Sequence, residues 1–312
     1  MTDRLRIFSH VPSKHLEPVR RSHPEVEIVE IPRKGPIESD LRAEILLTQP
    51  WDSPNLAEIM TRGVNWVHAF GTDIDRFPVQ LLGGAILTCS RGASATAISE
   101  WVLAVMLAAE KRLPESWIDA PPSRWSMASL GSLSGKKLGL IGFGEIAQAI
   151  ARRALPFDMR ITALRRTDKK SPVEGVAIAE SLDALLVDAD HVVVTAPLTA
   201  ATHHLLDAQA FARMKPGVHL VNISRGGLVD HDALRDALGD DGVVLASLDC
   251  VEPEPVPQGH WLYSHPRVRL SPHISWNIPA AFDDLIEPFV ENLARYRRGE
   301  ELAYRVDPTE GY

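Results

Sequence analysis

Apolar residues along the chain fall into short, nearly unbroken runs separated by stretches with helical spacing. In the first third the runs are LRIFSH (5–10), EVEIVEI (25–31), AEILLTQ (43–49), NWVHAF (65–70) and GAILTCS (84–90). A second series follows: KKLGLIG (136–142), RITALR (160–165), HVVVTA (191–196), HLVNIS (219–224), VVLASLD (243–249) and RVRLSPH (267–273). Strands apolar at consecutive positions are covered on both faces, which points to parallel sheets flanked by helices. Between the runs the period changes. Ile98, Val102, Val105 and Ala109 recur at helical spacing within 94–113, with Ser94 or Thr96 placed to cap the start. EIAQAIARRAL and DHDALRDALGD are helical in the same way, and a last helix over about 279–298 aligns Phe282, Leu285, Phe289 and Leu293. Two α/β units in tandem are predicted, the final helix able to pack back on the first.

The proline-interrupted stretch 113–135 is long for a connection inside a compact domain. Packing on a partner subunit and a plain surface loop both account for it. The chain has 312 residues, 45% hydrophobic, enough for two cores. A net charge of -8 excludes wholesale binding to a nucleic-acid backbone but not a local basic pocket. Cys89 and Cys250 are too few and too far apart for a disulfide framework or a zinc signature, so no metal is expected and a reducing, cytoplasmic compartment is. The charged N-terminus does not read as a signal peptide. The longest apolar run, VLAVMLAA (102–109), is far short of the roughly 20 residues that span a bilayer.

LGLIGFGEIAQAIA places Gly142-x-Gly144-x-x-Ala147 after a strand and at the start of a helix. The first glycine permits the tight turn, the second lets a pyrophosphate approach the backbone, and the small third residue lets helix and strand pack closely. The helix start, with Glu145 and Ile146, offers unpaired N–H groups to an anion. A dinucleotide is the expected ligand. The residue that reads its ribose lies about 20 residues on, at the end of the next strand. There the chain has TALRRTD: Arg165 and Arg166, with no acid before Asp168. Arginine binds a 2′-phosphate with two parallel hydrogen bonds, so NADP is preferred and NAD is the alternative. The competing account is two solvated arginines at a strand end.

Three later strands each deliver a chemical group at the carboxyl end, where open α/β sheets bind ligands. Arg225 follows HLVNIS and precedes Gly226 and Gly227; Asp249 ends VVLASLD, with Glu252 and Glu254 beyond; His273 ends RVRLSPH. Taken singly, each has an ordinary structural explanation. Their convergence on one sheet edge is harder to explain without function.

The set GLIGFGEIAQAIA, VVVTAPLTAATHHLL, MKPGVHLVNISRGGLVD, SLDCVEPEP and LSPHISW resembles the D-isomer-specific 2-hydroxyacid dehydrogenases. The resemblance covers nearly the whole chain. It is most specific from about 90 to 275 and looser in the first unit, where VNWVHAFGTDID is similar to the family's substrate loop. It implies two Rossmann-like lobes with a cleft between them. One is a flavodoxin-like substrate lobe of residues 1–97 and 279–312, the other a doubly wound dinucleotide lobe of 98–278. It also implies a catalytic set of Arg225, Glu254 and His273, with Glu252 as second candidate for the acid. Phe70 and Gly71 would hold the substrate carboxylate by their amides, together with Arg225. Asp249 would orient the nicotinamide carboxamide, Ala196 and Pro197 would line the adenosine side, and Ile223 and Ser224 would lie near the cofactor.

Trp51 and Trp276 are candidate walls of the substrate pocket, with core packing as the equal alternative. Three positions depart from the family pattern: alanine for the third glycine, arginines for the ribose-binding acid, and HISW for the common His-x-Gly-Gly. The activity implied is reduction of a 2-oxoacid of the glyoxylate or hydroxypyruvate type by NADP(H), in a homodimer formed through 94–134, with no nucleic acid or membrane as partner. The rivals are a dinucleotide-sensing, corepressor-like regulator on the same fold and, within enzymes, a formate or phosphite dehydrogenase.

Overall fold

The computed structural model describes residues 4–126, 128–167 and 169–307. Asp168 of TALRRTD and the last residues of the expected substrate lobe lie outside them. The chain divides into two compact units, Met1–Ser94 with Ile278–Tyr312, and Ala95–Asn277.

The first unit carries β1 (Arg6–Ser9), α1 (Glu17–Ser22), β2 (Glu27–Glu30), β3 (Ile45–Thr48), α2 (Leu56–Met60), β4 (Trp66–Ala69) and β5 (Ile86–Cys89). Its sheet order is β2-β1-β3-β4-β5, all parallel, the flavodoxin-like order. Every residue of β3 and β4 is buried, which is why those segments read as unbroken apolar runs. The chain returns to this unit as the last helix, Ala281–Arg297, which buries Leu285, Phe289 and Leu293. Trp66, fully buried, has its ring 5.3 Å from that of Phe289 and 5.2 Å from that of Tyr296. Polar atoms pin the same contact: Ser90 Oγ donates to Leu285 O at 2.7 Å, while Thr88 Oγ1 accepts the Trp66 indole N–H at 2.9 Å. His68 beside them is pushed down to about 3 by burial, so it stays neutral in this core.

The second unit opens with α3 (Ala95–Lys111) and continues through β6 (Lys137–Ile141), α4 (Glu145–Ala154), β7 (Arg160–Leu164), β8 (Val176–Ile178), α5 (Leu182–Leu186), β9 (His191–Val194), α6 (Ala208–Arg213), β10 (Val218–Asn222), α7 (His231–Gly239), β11 (Val243–Leu248) and β12 (Val268–Leu270). The last helix of the chain is then α8. The order β12-β11-β10-β9-β6-β7-β8 is parallel throughout and is the doubly wound arrangement, with its reversal between β6 and β9. The edge strand β8 is only three residues long and half exposed, and no sequence run announces it. Near the amino ends of β9 and β10, His191 and His219 meet through their Nδ1 atoms at 3.1 Å, and His219 Nε2 reaches Ser247 Oγ at 2.9 Å. The other His191 nitrogen lies 3.1 Å from Glu110, whose carboxylate also takes Lys136 at 2.6 Å. This chain of polar contacts ties the end of α3 to the sheet. No helix among the described residues is long and apolar enough to cross a membrane.

Phe289→Ala removes a ring from a fully packed site and is expected to cost about 3–5 kcal/mol. Urea unfolding of the purified chain measures this; a loss below about 1 kcal/mol would show that α8 contributes little to the first core.

Candidate active site

Strands β10, β11 and β12 are neighbours in register, Asn222 beside Leu248 and Leu248 beside Leu270. Chain leaving them therefore emerges at one edge. Asn222, fully buried, organises two of the exits. Its amide donates to Arg225 O at 2.9 Å and Cys250 O at 3.1 Å, and its Oδ1 accepts the Ser224 N–H at 3.2 Å. Past Arg225 the backbone runs hard against the next loop: a Cβ on Gly226 would stand 2.0 Å from the carbonyl carbon of Val251. Only glycine fits there.

Asp249 is 1% exposed and holds the third exit. Its Oδ1 accepts Ser271 Oγ–H at 2.5 Å and the Ile274 N–H at 2.9 Å; Oδ2 accepts the Ser275 N–H at 2.9 Å. The His273 N–H donates to Asp249 O at 3.0 Å. Asp249 is thus placed as the anchor of the histidine loop. Its oxygens take three donors from its own chain, two on Oδ1 and one on Oδ2, so Oδ2 keeps acceptor capacity for a further donor. Trp276 closes the same turn, its indole N–H donating to His273 O at 3.1 Å while its ring packs on the core formed by α3, α4 and the sheet. Trp276 is partly buried, so one side of it packs on that core.

The loop from Asp249 carries Glu254 to His273, with Nδ1 3.0 Å from Oε2. The other oxygen of Glu254 accepts the Val251 N–H at 3.1 Å, which fixes the carboxylate plane. Glu252 points elsewhere: its Oε2 lies near Gly227, and its carbonyl meets His231 Nδ1 at 3.1 Å. Of the two acids left open by the sequence, Glu254 is the one brought to the histidine. The hydrogen bond to Glu254 raises the His273 pKa above 6.5; partial burial and the Arg225 charge pull against it, and the Glu254 and Asp249 charges reinforce it. Burial pushes Glu254 up, but its bonds from His273 and Val251, with the charges of His273 and Arg225, bring it net below its ordinary value. The pair is therefore poised as imidazolium and carboxylate. With Nδ1 held by the carboxylate, Nε2 is the nitrogen left for proton transfer.

The glycine loop lies where β6 ends. Gly142 has φ +98°, and a Cβ there would stand 2.7 Å from Ala196 N; its N–H donates to Leu164 O at 3.0 Å, the last residue of β7. Gly144 caps α4 without a side-chain hydrogen bond, and nothing lies within 4 Å of its Cβ position. Ala147 is fully buried against the strand. This pairing of a crowded first glycine, an open second and a free helix start fits a pyrophosphate, with Glu145 and Ile146 in the first turn. Ser224 Oγ donates to Ala196 O at 2.5 Å, and Thr202 Oγ1 to Pro197 O at 2.7 Å, so the strand-end loops on this side brace each other. Ile223 is buried in the core beneath them. Arg165 follows Leu164 directly and so stands beside Gly142; its Nη1 lies 3.5 and 3.4 Å from Lys169 O and Lys170 O. Arg166 next to it is exposed.

Phe70 and Gly71 belong to the first unit, at the end of β4. Their amides already donate, to Thr48 O at 2.7 Å and Ala69 O at 2.9 Å. Those two N–H groups are therefore engaged within the loop itself. Trp51 in the same unit is 46% exposed with the Arg33 guanidinium 5.4 Å from its ring, so core packing does not account for it. Asn222 and Ser271 were not singled out from sequence. Asn222 had a signal, a lone amide inside an apolar strand; Ser271 had none.

Residues 103–275 match the sequence model of the D-isomer specific 2-hydroxyacid dehydrogenase, NAD binding domain. The glyoxylate reductase of Thermococcus gammatolerans is 30% identical over 303 residues, 90% of this chain and 89% of that protein. The chain belongs to the D-isomer specific 2-hydroxyacid dehydrogenases. The hydroxypyruvate reductase of Thermotoga maritima is 35% identical over 207 residues, 64% of this dehydrogenase and 66% of that protein, just under two thirds of its length. Among solved structures, a D-isomer specific 2-hydroxyacid dehydrogenase from Xanthobacter autotrophicus Py2, in complex with NADPH and MES, superposes with a TM-score of 0.86 at 26% identity, covering 99% of each chain.

Gly142→Ala combines a positive φ with a backbone clash, and is expected to weaken NADPH and NADH alike by about tenfold or more, roughly 1.4 kcal/mol. Fluorescence titration measures it. Unchanged affinity for both would remove the glycine loop from the cofactor site.

Proposed function

We propose that this dehydrogenase reduces a 2-oxoacid of the glyoxylate or hydroxypyruvate type to its D-2-hydroxyacid, using NADPH in preference to NADH. The observation that carries the reading is the His273–Glu254 pair at 3.0 Å, on the same sheet edge as Arg225. Ala95–Asn277 would be the dinucleotide-binding unit and the other unit would hold substrate determinants. A bound nicotinamide supplies the hydride that reaches the carbonyl carbon. As negative charge grows on the carbonyl oxygen, His273 delivers its Nε2 proton there, and Glu254 holds the ring and favours the charged form. Arg225 grips the substrate carboxylate and polarises the carbonyl; its planar fork suits a carboxylate where lysine would offer a point charge. Alcohol product and neutral imidazole remain, and a solvent proton restores the imidazolium.

Three finer readings accompany this one. Arg165 and Arg166, at the end of β7 beside Gly142, have the position and charge for a ribose phosphate, and a related enzyme of known structure holds NADPH. The stretch 94–134 exposes Trp117 and Trp125, each 74%, with Ile118 and Leu130, which favours a homodimer through it. Cys89 and Cys250, both buried and neither joined in a disulfide, favour the cytoplasm.

NADPH and NADH oxidation followed in parallel against glyoxylate, hydroxypyruvate, pyruvate and phenylpyruvate is the first test. Turnover preferring NADPH supports the proposal; tight cofactor binding with no turnover would instead indicate a dinucleotide sensor. His273→Ala should lower kcat about 10²–10⁴-fold with NADPH affinity kept. Reduction requires the imidazolium, so its rate should fall as pH rises through the raised His273 pKa. Glu254→Gln removes the group that raises it, so this alkaline limb should move to lower pH; an unmoved limb would reject the pairing. Arg165→Ala should raise KM for NADPH about tenfold or more and leave NADH nearly unchanged; equal loss of both would make Arg165 a surface charge.

A further inference from the structure

On the second unit, beside the loops that carry Arg225 and Glu254, two adjacent histidines and an acid come together. Imidazole nitrogens of His203 and His204 and a carboxylate oxygen of Glu252 all lie within 4.8 Å of one another. All three side chains are exposed, and the two rings stack with centroids 4.0 Å apart. We propose that His203, His204 and Glu252 form a surface site for a divalent cation of the zinc class. Two imidazoles and one carboxylate are a donor set that such ions accept, with water completing the tetrahedron. Ligand atoms around zinc at about 2.0–2.1 Å sit roughly 3.3 Å apart. Both rings are exposed, and binding would unstack them so that one nitrogen of each points at the ion.

The backbone under the site is already held. His203 N–H donates to Thr199 O at 3.0 Å and His204 N–H to Gly227 O at 2.7 Å. His231 donates from Nδ1 to Glu252 O at 3.1 Å, fixing the segment that carries the third ligand. Asp230 supplies an outer partner. Its Oδ1 caps α7 by accepting the Asp232 and Ala233 N–H groups, and its Oδ2 lies 3.8 Å from His204 Nδ1. At 3.8 Å this is an ion-pair distance and not a hydrogen bond; a small approach of Asp230 would let it hold Nδ1–H and leave Nε2 as the ligand. The site does not depend on the catalytic reading. It does share a loop with it, since Glu252 stands two residues before Glu254.

A second group of candidate ligands, Cys250, Glu254 and His273, also lies within 4.8 Å, so the test must separate the two. Tag-free full-length protein is titrated with Zn²⁺ in competition with a chromogenic chelator, and its melting temperature is followed with and without the ion. The expected result is one equivalent bound and a raised Tm. His203→Ala and Glu252→Gln should each weaken binding at least tenfold and abolish the Tm gain. Asp230→Asn, which keeps the helix cap, should weaken it about tenfold. Absence of binding, or binding unchanged by His203→Ala and Glu252→Gln, would overturn the proposal. Loss on Glu254→Gln alone would overturn it too, by assigning the ion to the catalytic cluster.

Discussion

A carboxylate removed from water must find hydrogen-bond donors or give up its charge, and Asp249 shows how much structure that demand can organise. Two backbone amides and one hydroxyl from residues 271–275 converge on its two oxygens, and its own carbonyl takes a further amide from His273. The histidine loop is therefore wound around the end of β11. That anchor, with the Trp276 indole on the His273 carbonyl, holds His273 in its left-handed backbone conformation, φ 55°, with its ring toward Glu254. Asn222 does the same for the neighbouring exits, spending its one amide group on the Arg225 and Cys250 carbonyls and the Ser224 N–H. Both residues are buried and are better described as positioning groups than as reacting ones.

Sheet order turns these local anchors into a site. Because β10, β11 and β12 are adjacent and parallel, an arginine, an acid and a histidine far apart in sequence leave the sheet at one edge. Their charges then set one another. Glu254 raises the histidine while Arg225 lowers both, and the pair settles as an ion pair close to solvent. On the β6 side, the tight fit of Gly142 against Ala196 and the open space at Gly144 prepare the helix start for an anion. One parallel sheet thus carries the open helix start at one place and the His273–Glu254 pair at another.

The alternation of apolar runs with helical spacing makes both sheets legible in the sequence, because strands buried on two faces leave an unbroken signature. The half-exposed, three-residue β8 leaves none. Arg225, Glu254 and His273 stand out because each follows a strand. The choice between Glu252 and Glu254 is hidden in a proline-interrupted loop whose path depends on Gly226 and Val251. Occupied amides at Phe70 and Gly71, and the inward packing of Trp276, are likewise facts of tertiary contact that residue type does not announce. The His203–His204–Glu252 group, assembled from two loops, belongs to the same kind of information.

The central claim is that Glu254 holds His273 as a charged acid through Nδ1. Nitrogen-15 NMR of histidine-labelled protein, titrated with pH, reads the ring directly. The account predicts a His273 pKa above its ordinary 6.5 and a fall toward that value in Glu254→Gln. A His273 pKa at or below 6.5 in the unaltered protein, or one that the substitution leaves unmoved, would contradict it.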